Sequence, residues 1–375
     1  MTTIKHYLYM LLVAAVASMA LTACSDDDLG ETIFPDVDSS PDPNSSTYAL
    51  DKFLWDNYLV PYNLEFKYRL ADDSYYNMYY NVVPATYDVA KDMAVLCKYL
   101  WFDAYDAVTP ADFMKSYGPR IIQLVGSPIY NTTSSTVIYG LAQGGIKISL
   151  YGVNFADAGD ADLMTTRYFA TMHHEFTHIL HQTKTYPSAF NYISVGHYDG
   201  TNWQYRQDSQ MNGLGFVTSY ASSSYTEDLA ETVANYVVLS DEQWNRILDY
   251  ASRGWATADA DDDDPSSTYF CFYYYENNEA TDENRKYAYE SQTEVLEDGT
   301  RVLTRRRDTS GNYILVYDVE DTDGVDGVVA INQKLEIVKN WFRTTWGFEL
   351  DSLRNEVHRR MDNLDIDELR KQIAD

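Results

Sequence analysis

The chain has 375 residues, of which 57 are acidic and 28 basic, for a formal charge of -29. Phosphate backbones are held by basic patches that so acidic a chain lacks in bulk, so no nucleic-acid partner is expected, and the acidity reads as a solubility device. With 45% hydrophobic residues the length suffices to bury a sizeable core in one or two domains, and three cysteines do not make a disulfide scaffold.

In chain order, Lys5 and His6 precede an apolar run over residues 7–20, too short to cross a bilayer comfortably, which ends in Leu21-Thr22-Ala23-Cys24. That order resembles a bacterial lipobox, with residues 1–23 the signal peptide and Cys24 the lipidated first residue. An ordinary cleaved signal beside an incidental cysteine is the alternative. Ser25 does not resemble an inner-membrane retention residue, and Asp26-Asp27-Asp28 resembles the acidic export tag of surface lipoproteins in Bacteroides-type bacteria. The resemblance implies an outer-membrane lipoprotein facing outward, attached by its lipid anchor only. Cleavage removes Lys5 and no acid, which moves the formal charge from -29 to -30.

Residues 24–46 are rich in Asp, Ser and Pro without apolar periodicity and read as a flexible tether. An N-terminal α/β part at 47–118 follows, with helical patterns at 48–58 and 87–107 around a strand at 63–70. A core part is expected over 119–250. It opens with strands at 120–130, 136–141 and 145–153, a turn at 131–135 between the first two, and then a helix over 160–185. Residues 251–285 read as an acidic and Tyr-rich loop region. Its Asp run at 259–264 lacks the spacing of a known calcium loop, which favours a solvated loop over a calcium site. Alternation over 286–320 predicts an inserted β meander, and two amphipathic helices split by Gly347 close the chain over 321–375.

The helix at 160–185 carries His174-Glu175-Phe176-Thr177-His178, the H-E-x-x-H zinc signature. Positions i and i+4 share a helix face, so both imidazoles can reach one ion while Glu175 leans toward the water on that ion. Solvated or core histidines are the bland alternative, but four of the chain's seven histidines fall within residues 173–181. A catalytic zinc needs a third protein ligand and an open fourth position. The metzincin pattern is excluded, because it requires Gly and His where this chain has His181 and Lys184. A carboxylate is left as the common solution. Glu227 and Glu231 share a face of the helix predicted from residue 225, with Asp228 and Glu231 as rivals to Glu227 for the ligand. His173 and His181 read as neighbours that point partly away. Residues 144–150, just before the motif helix, are either the cleft-edge strand that pairs with an extended substrate or an ordinary internal strand.

Tyr220, seven positions before Glu227-Asp228-Leu229-Ala230-Glu231, completes an arrangement that resembles gluzincins such as anthrax lethal factor and the Pro-Pro endopeptidases. With the lipobox, the chain is similar to the zinc-binding metallopeptidase lipoproteins of Bacteroides-type bacteria, also described as substrate import-associated zinc metallohydrolase lipoproteins. The resemblance implies an α+β, zincin-like metallopeptidase fold: a mixed sheet with an edge strand beside the motif helix, and a helical C-terminal part. It implies Zn2+ held by His174, His178 and Glu227, with Glu175 as general base and Tyr220 as oxyanion donor. Tyr225 is a rival for that last role among 34 tyrosines. Glu231 is expected to hydrogen-bond a ligand imidazole. A peptide or glycoprotein substrate and an outer-membrane transporter complex are the implied partners. A catalytically silent lipoprotein that holds glycan or peptide for an importer is the rival reading, and intact Glu175 argues against it. Whether Cys97 and Cys271 form a disulfide is left open by the sequence.

Overall fold

Apolar residues recurring at three- and four-residue steps bury one face of each N-terminal helix in the computed structural model. The structure describes residues 40–70, 82–130, 137–143, 145–251, 253–257, 270–275, 285–295, 301–305, 309–311 and 325–373. Cys24, most of the expected tether, the 131–135 turn and the 259–264 acidic run lie outside them. The first helix runs through Tyr48–Leu54, a wide π turn at Trp55–Leu59, and Val60–Tyr62. The second runs through Tyr87–Leu96, a π turn at Cys97–Phe102, and Asp103–Val108. Both expected helices are present, each with an added π turn inside it.

The strands are shorter than their alternation predicts. Strand β1 is Glu65–Lys67 and β2 is Ile121–Val125. Beyond Val125 the expected strand breaks before Pro128, which has no N–H to give a ladder. It resumes as β3 (Ile129–Tyr130), paired with β4 (Val137–Ile138) in a separate two-stranded ladder. Strands β5 (Gly140–Gln143) and β6 (Lys147–Tyr151) complete the main sheet, whose order is β1-β2-β6-β5. The first three run parallel and β5 is antiparallel to β6, with Gly140 opposite Leu150. Of the two readings of residues 144–150, the internal strand is therefore correct. The edge on that side belongs to β5, which pairs antiparallel along the outside of β6. A Cβ on Gly140 would sit 2.0 Å from Thr171 Cγ2 of the motif helix, so only glycine lets this edge lie so close.

The motif helix runs through Ala161–Leu163, a π turn at Met164–Phe169, and Ala170–Thr183. Asp160 caps it by accepting the Leu163 amide at 2.9 Å. Met172, Phe176 and Leu180, at four-residue steps, are fully buried. Phe176 packs edge-on against Trp101 and Tyr105 of the second helix, with ring centroids 5.1 and 5.2 Å away. Cys97 is a free, buried thiol whose sulfur faces Met172 Sδ at 3.7 Å. Burial of this face fixes the rotation of the helix, and His174 and His178 are left on another.

A second antiparallel sheet has the order β10-β9-β8-β7. Its strands β9 (Arg285–Val295) and β10 (Arg301–Arg305) match the expected meander. The preceding stretch, read as loop, adds β7 (Arg253–Thr257) and β8 (Phe270–Tyr275). The β8 sequence is an unbroken aromatic run apart from Cys271, and aromatic residues suit a pleated strand. The C-terminal part is helical, as expected: Gly327–Trp341 continues as a π turn at Phe342–Trp346, and Leu350–Asp362 and Ile366–Arg370 follow. Gly347 separates them in the left-handed region, with φ of 79°.

One buried ion pair ties this part to the helix Tyr225–Val238, called here the carboxylate helix. Lys334 and Asp228 are 1% and 0% exposed at the side chain and 2.6 Å apart. The Lys334 ammonium also donates to Gly215 O at 2.7 Å, and Tyr198 donates its phenolic proton to Asp228 at 2.6 Å. Removing one member of such a pair strands the other charge without solvent. Lys334→Met is therefore expected to lower stability by about 3–5 kcal/mol in urea unfolding, and the double variant Lys334→Met/Asp228→Asn to regain most of it. A Lys334→Met midpoint equal to wild type would remove this pair as the tie between the two helices.

Candidate metal centre

His174 and His178 lie one turn apart on the motif helix, facing the carboxylate helix along which it packs. Ser224 caps the carboxylate helix by accepting the Glu227 amide at 3.3 Å, and Glu227 and Glu231 then face the histidines one turn apart. His174 Nε2 is 3.0 Å from Glu227 Oε2, His178 Nε2 is 3.2 Å from the same oxygen, and the two Nε2 atoms are 3.1 Å apart. One ligand atom from each residue thus forms a near-equilateral triangle. A tetrahedral zinc with bonds of about 2.0–2.1 Å sets its ligand atoms about 3.3 Å apart, so the triangle fits one face of that tetrahedron.

The outer ring nitrogens are also held. Glu231 accepts from His174 Nδ1 at 2.7 Å, and its other oxygen accepts from Thr218 Oγ1 at 2.6 Å. With the proton on Nδ1, the His174 Nε2 lone pair points to the triangle's centre. His178 Nδ1 lies 3.1 Å from His181 Nε2. Burial, then the neighbouring His178, lowers His181 to about 4, so its neutral ring can accept the His178 Nδ1 proton and leave Nε2 free. His181 is thus closer to the chemistry than its sequence position suggests. His173 does point away, fully buried, with Nδ1 3.0 Å from the Tyr105 hydroxyl.

The electrostatics favour a cation. Burial works against the charged form of His174, yet Glu227 and Glu231 outweigh it and push its pKa up to about 10. Burial likewise works against ionised Glu227, but His174 and His178 hold its carboxyl well below the usual range. The cluster opens on a cleft of about 950 Å³ that Glu175 and Tyr220 also line. The Tyr220 ring stacks near His174, centroids 5.8 Å apart and planes 22° from parallel. Burial, then the Glu227 charge, raises its phenol far above the ordinary value, so it keeps its proton as a donor.

The rivals fall elsewhere. Tyr225 packs edge-on against Tyr198 at 4.5 Å and is not among the residues lining the cleft. Asp228 is engaged by Lys334 and Tyr198. Residues 43–351 match the family described as "Putative zinc-binding metallo-peptidase". The chain belongs to this family. A crystal structure titled as a "putative zinc-binding metallo-peptidase" from Bacteroides caccae is similar to it at 27% identity with a TM-score of 0.55, over 90% of this chain and 99% of that one. No curated protein matches the chain. Zinc is the metal that this metallopeptidase family and the donor set both indicate, with His174, His178 and Glu227 as the residues to hold it.

Within this site Thr218 and His181 are the residues that spacing alone did not single out. Thr218 sits beside Tyr220 in sequence and could have been found by asking what holds the second oxygen of Glu231. Glu231→Ala is expected to weaken zinc binding by about 10–100-fold in a chelator competition, with the fold intact by circular dichroism. An unchanged affinity would show that Glu231 does not orient His174.

Proposed function

We propose that this chain is a zinc-dependent peptidase of the cell surface, hydrolysing peptide bonds in peptide or glycoprotein substrates alongside an outer-membrane uptake system. The observation that carries the hydrolytic reading is the meeting of a base and a proton donor, Glu175 and Tyr220, in one cleft with the three-residue metal cluster. Zinc bound there supplies a Lewis acid that polarises the scissile carbonyl and lowers the pKa of water toward neutrality. Glu175, only 8% exposed, takes the proton from the attacking water and hands it to the leaving amine. The Tyr220 hydroxyl donates to the oxyanion as it develops. Strand β5, at the end of the sheet beside the motif helix, supports an extended substrate lying along it through backbone hydrogen bonds, with Gly140 and Leu141 lining the same cleft.

The surface location rests on the Leu21-Thr22-Ala23-Cys24 pattern and the acidic residues after it. Among the described residues no helix is long and apolar enough to cross a membrane. Association with an uptake system rests on the family resemblance alone. Cys24→Ala is expected to shift the protein from the membrane pellet to the soluble fraction of its host, and retention in the pellet would contradict lipid anchoring.

The hydrolytic reading is tested with a mixed peptide library. Glu175→Gln is expected to keep one zinc per chain and abolish cleavage, and Tyr220→Phe to keep zinc and lose about 10²–10³ in kcat. Undiminished cleavage by zinc-loaded Glu175→Gln would refute the assignment of the base, and zinc-loaded wild type without any turnover would favour a binding protein.

A further inference from the structure

Besides Tyr220, the cleft is lined by two aromatic residues that the hydrolytic scheme does not use, Tyr139 and Trp203. Trp203 lines it and packs against Tyr220, ring centroids 4.7 Å apart and planes tilted by 59°. It is carried on a short turn, Trp203–Tyr205, that is fastened at its base. Asp199 Oδ1 accepts the Thr201 and Asn202 amides, each at 3.1 Å, and the Asp199 amide donates to Ser222 O at 2.8 Å. Ser222 belongs to the turn Tyr220–Ser223, so one backbone bond joins the segment bearing Trp203 to the segment bearing Tyr220. The indole is half-buried rather than enclosed, and Ile138, Tyr139 and Leu141 add further apolar lining to the same cleft.

We propose that Trp203 forms the wall of an apolar specificity subsite, which receives a bulky apolar or aromatic side chain of the substrate next to the bond to be cut. The placement follows from Tyr220. If its hydroxyl meets the scissile carbonyl oxygen, a ring in contact with that tyrosine flanks a residue adjoining this bond. The side chain accepted there is chosen by the removal of apolar surface from water, a force that distinguishes an aromatic ring from hydrogen by about 10–100-fold in affinity. This inference rests on the site proposed above, but its test does not depend on turnover.

The test measures binding of glycyl, leucyl and phenylalanyl hydroxamates to zinc-loaded protein by calorimetry, since hydroxamates bind zinc whether or not peptides are cleaved. Wild type is expected to prefer the phenylalanyl over the glycyl compound by about 10–100-fold. Trp203→Ala should erase at least a factor of about ten of that preference, leaving zinc content and glycyl affinity unchanged, and Trp203→Phe should retain most of it. Should Trp203→Ala lose zinc, Trp203→Gln, which keeps the bulk without the apolar face, serves for the same comparison. No preference in wild type, or the full preference in the alanine or glutamine variant, would overturn the subsite. A preference that depends on Trp203 without peptide turnover would count against the peptidase reading alone.

Discussion

His174 is gripped at both ring nitrogens by carboxylates of one neighbouring helix, and the rest of the site depends on that grip. Glu231 fixes the proton on Nδ1 at 2.7 Å, and Glu227 faces Nε2 at 3.0 Å. The two acids are one helical turn apart, as are the two histidines, so a single register between two helices aligns all four. A shift of one residue in either helix would turn the side chains by about 100° and break both contacts together. Confronting two carboxylates in a half-buried cleft is unfavourable unless positive charge lies between them. In the metal-free chain the charge is the proton on His174, and zinc can take its place.

That register is maintained from outside the site. On the far face of the motif helix, Met172, Phe176 and Leu180 are locked into an aromatic core with Trp101 and Tyr105. The carboxylate helix is held by its own apolar face, including Leu229 and Val233, and by the Asp228–Lys334 pair reaching to the C-terminal helices. The neighbours in sequence, Glu227 and Asp228, thus have opposite fates. Successive helical residues are about 100° apart, so one faces the metal cluster while the other is sealed in the core. The C-terminal part, remote in sequence from the motif, thereby becomes a support for the zinc ligands.

The site was more legible in the sequence than the sheet was. The i, i+4 spacing of His174 and His178, and of Glu227 and Glu231, is a local property of a helix and survives folding unchanged. The Tyr220–Glu227 spacing is likewise local, spanning one turn and a cap at Ser224. Strand order is not local. Alternation marked residues 145–153 as a strand but carried no information on whether β5 would lie outside it, so the choice between edge and internal strand stayed open until the pairing was seen. The π turns were equally hidden, since one extra residue in a turn leaves the apolar pattern almost intact. His181 shows a further limit: three residues after His178 it falls on an adjoining face, and only side-chain rotamers decide whether the rings meet.

The site rests on zinc being held by two imidazole nitrogens and one carboxylate oxygen, from His174, His178 and Glu227. Anomalous diffraction at the zinc edge from crystals of the zinc-loaded protein tests it most directly. One strong peak is expected about 2.0–2.1 Å from both Nε2 atoms and from a Glu227 oxygen, with Glu231 still on His174 Nδ1. A peak elsewhere in the chain, or one at this place coordinated by Asp228 or Glu231 instead of Glu227, would contradict it.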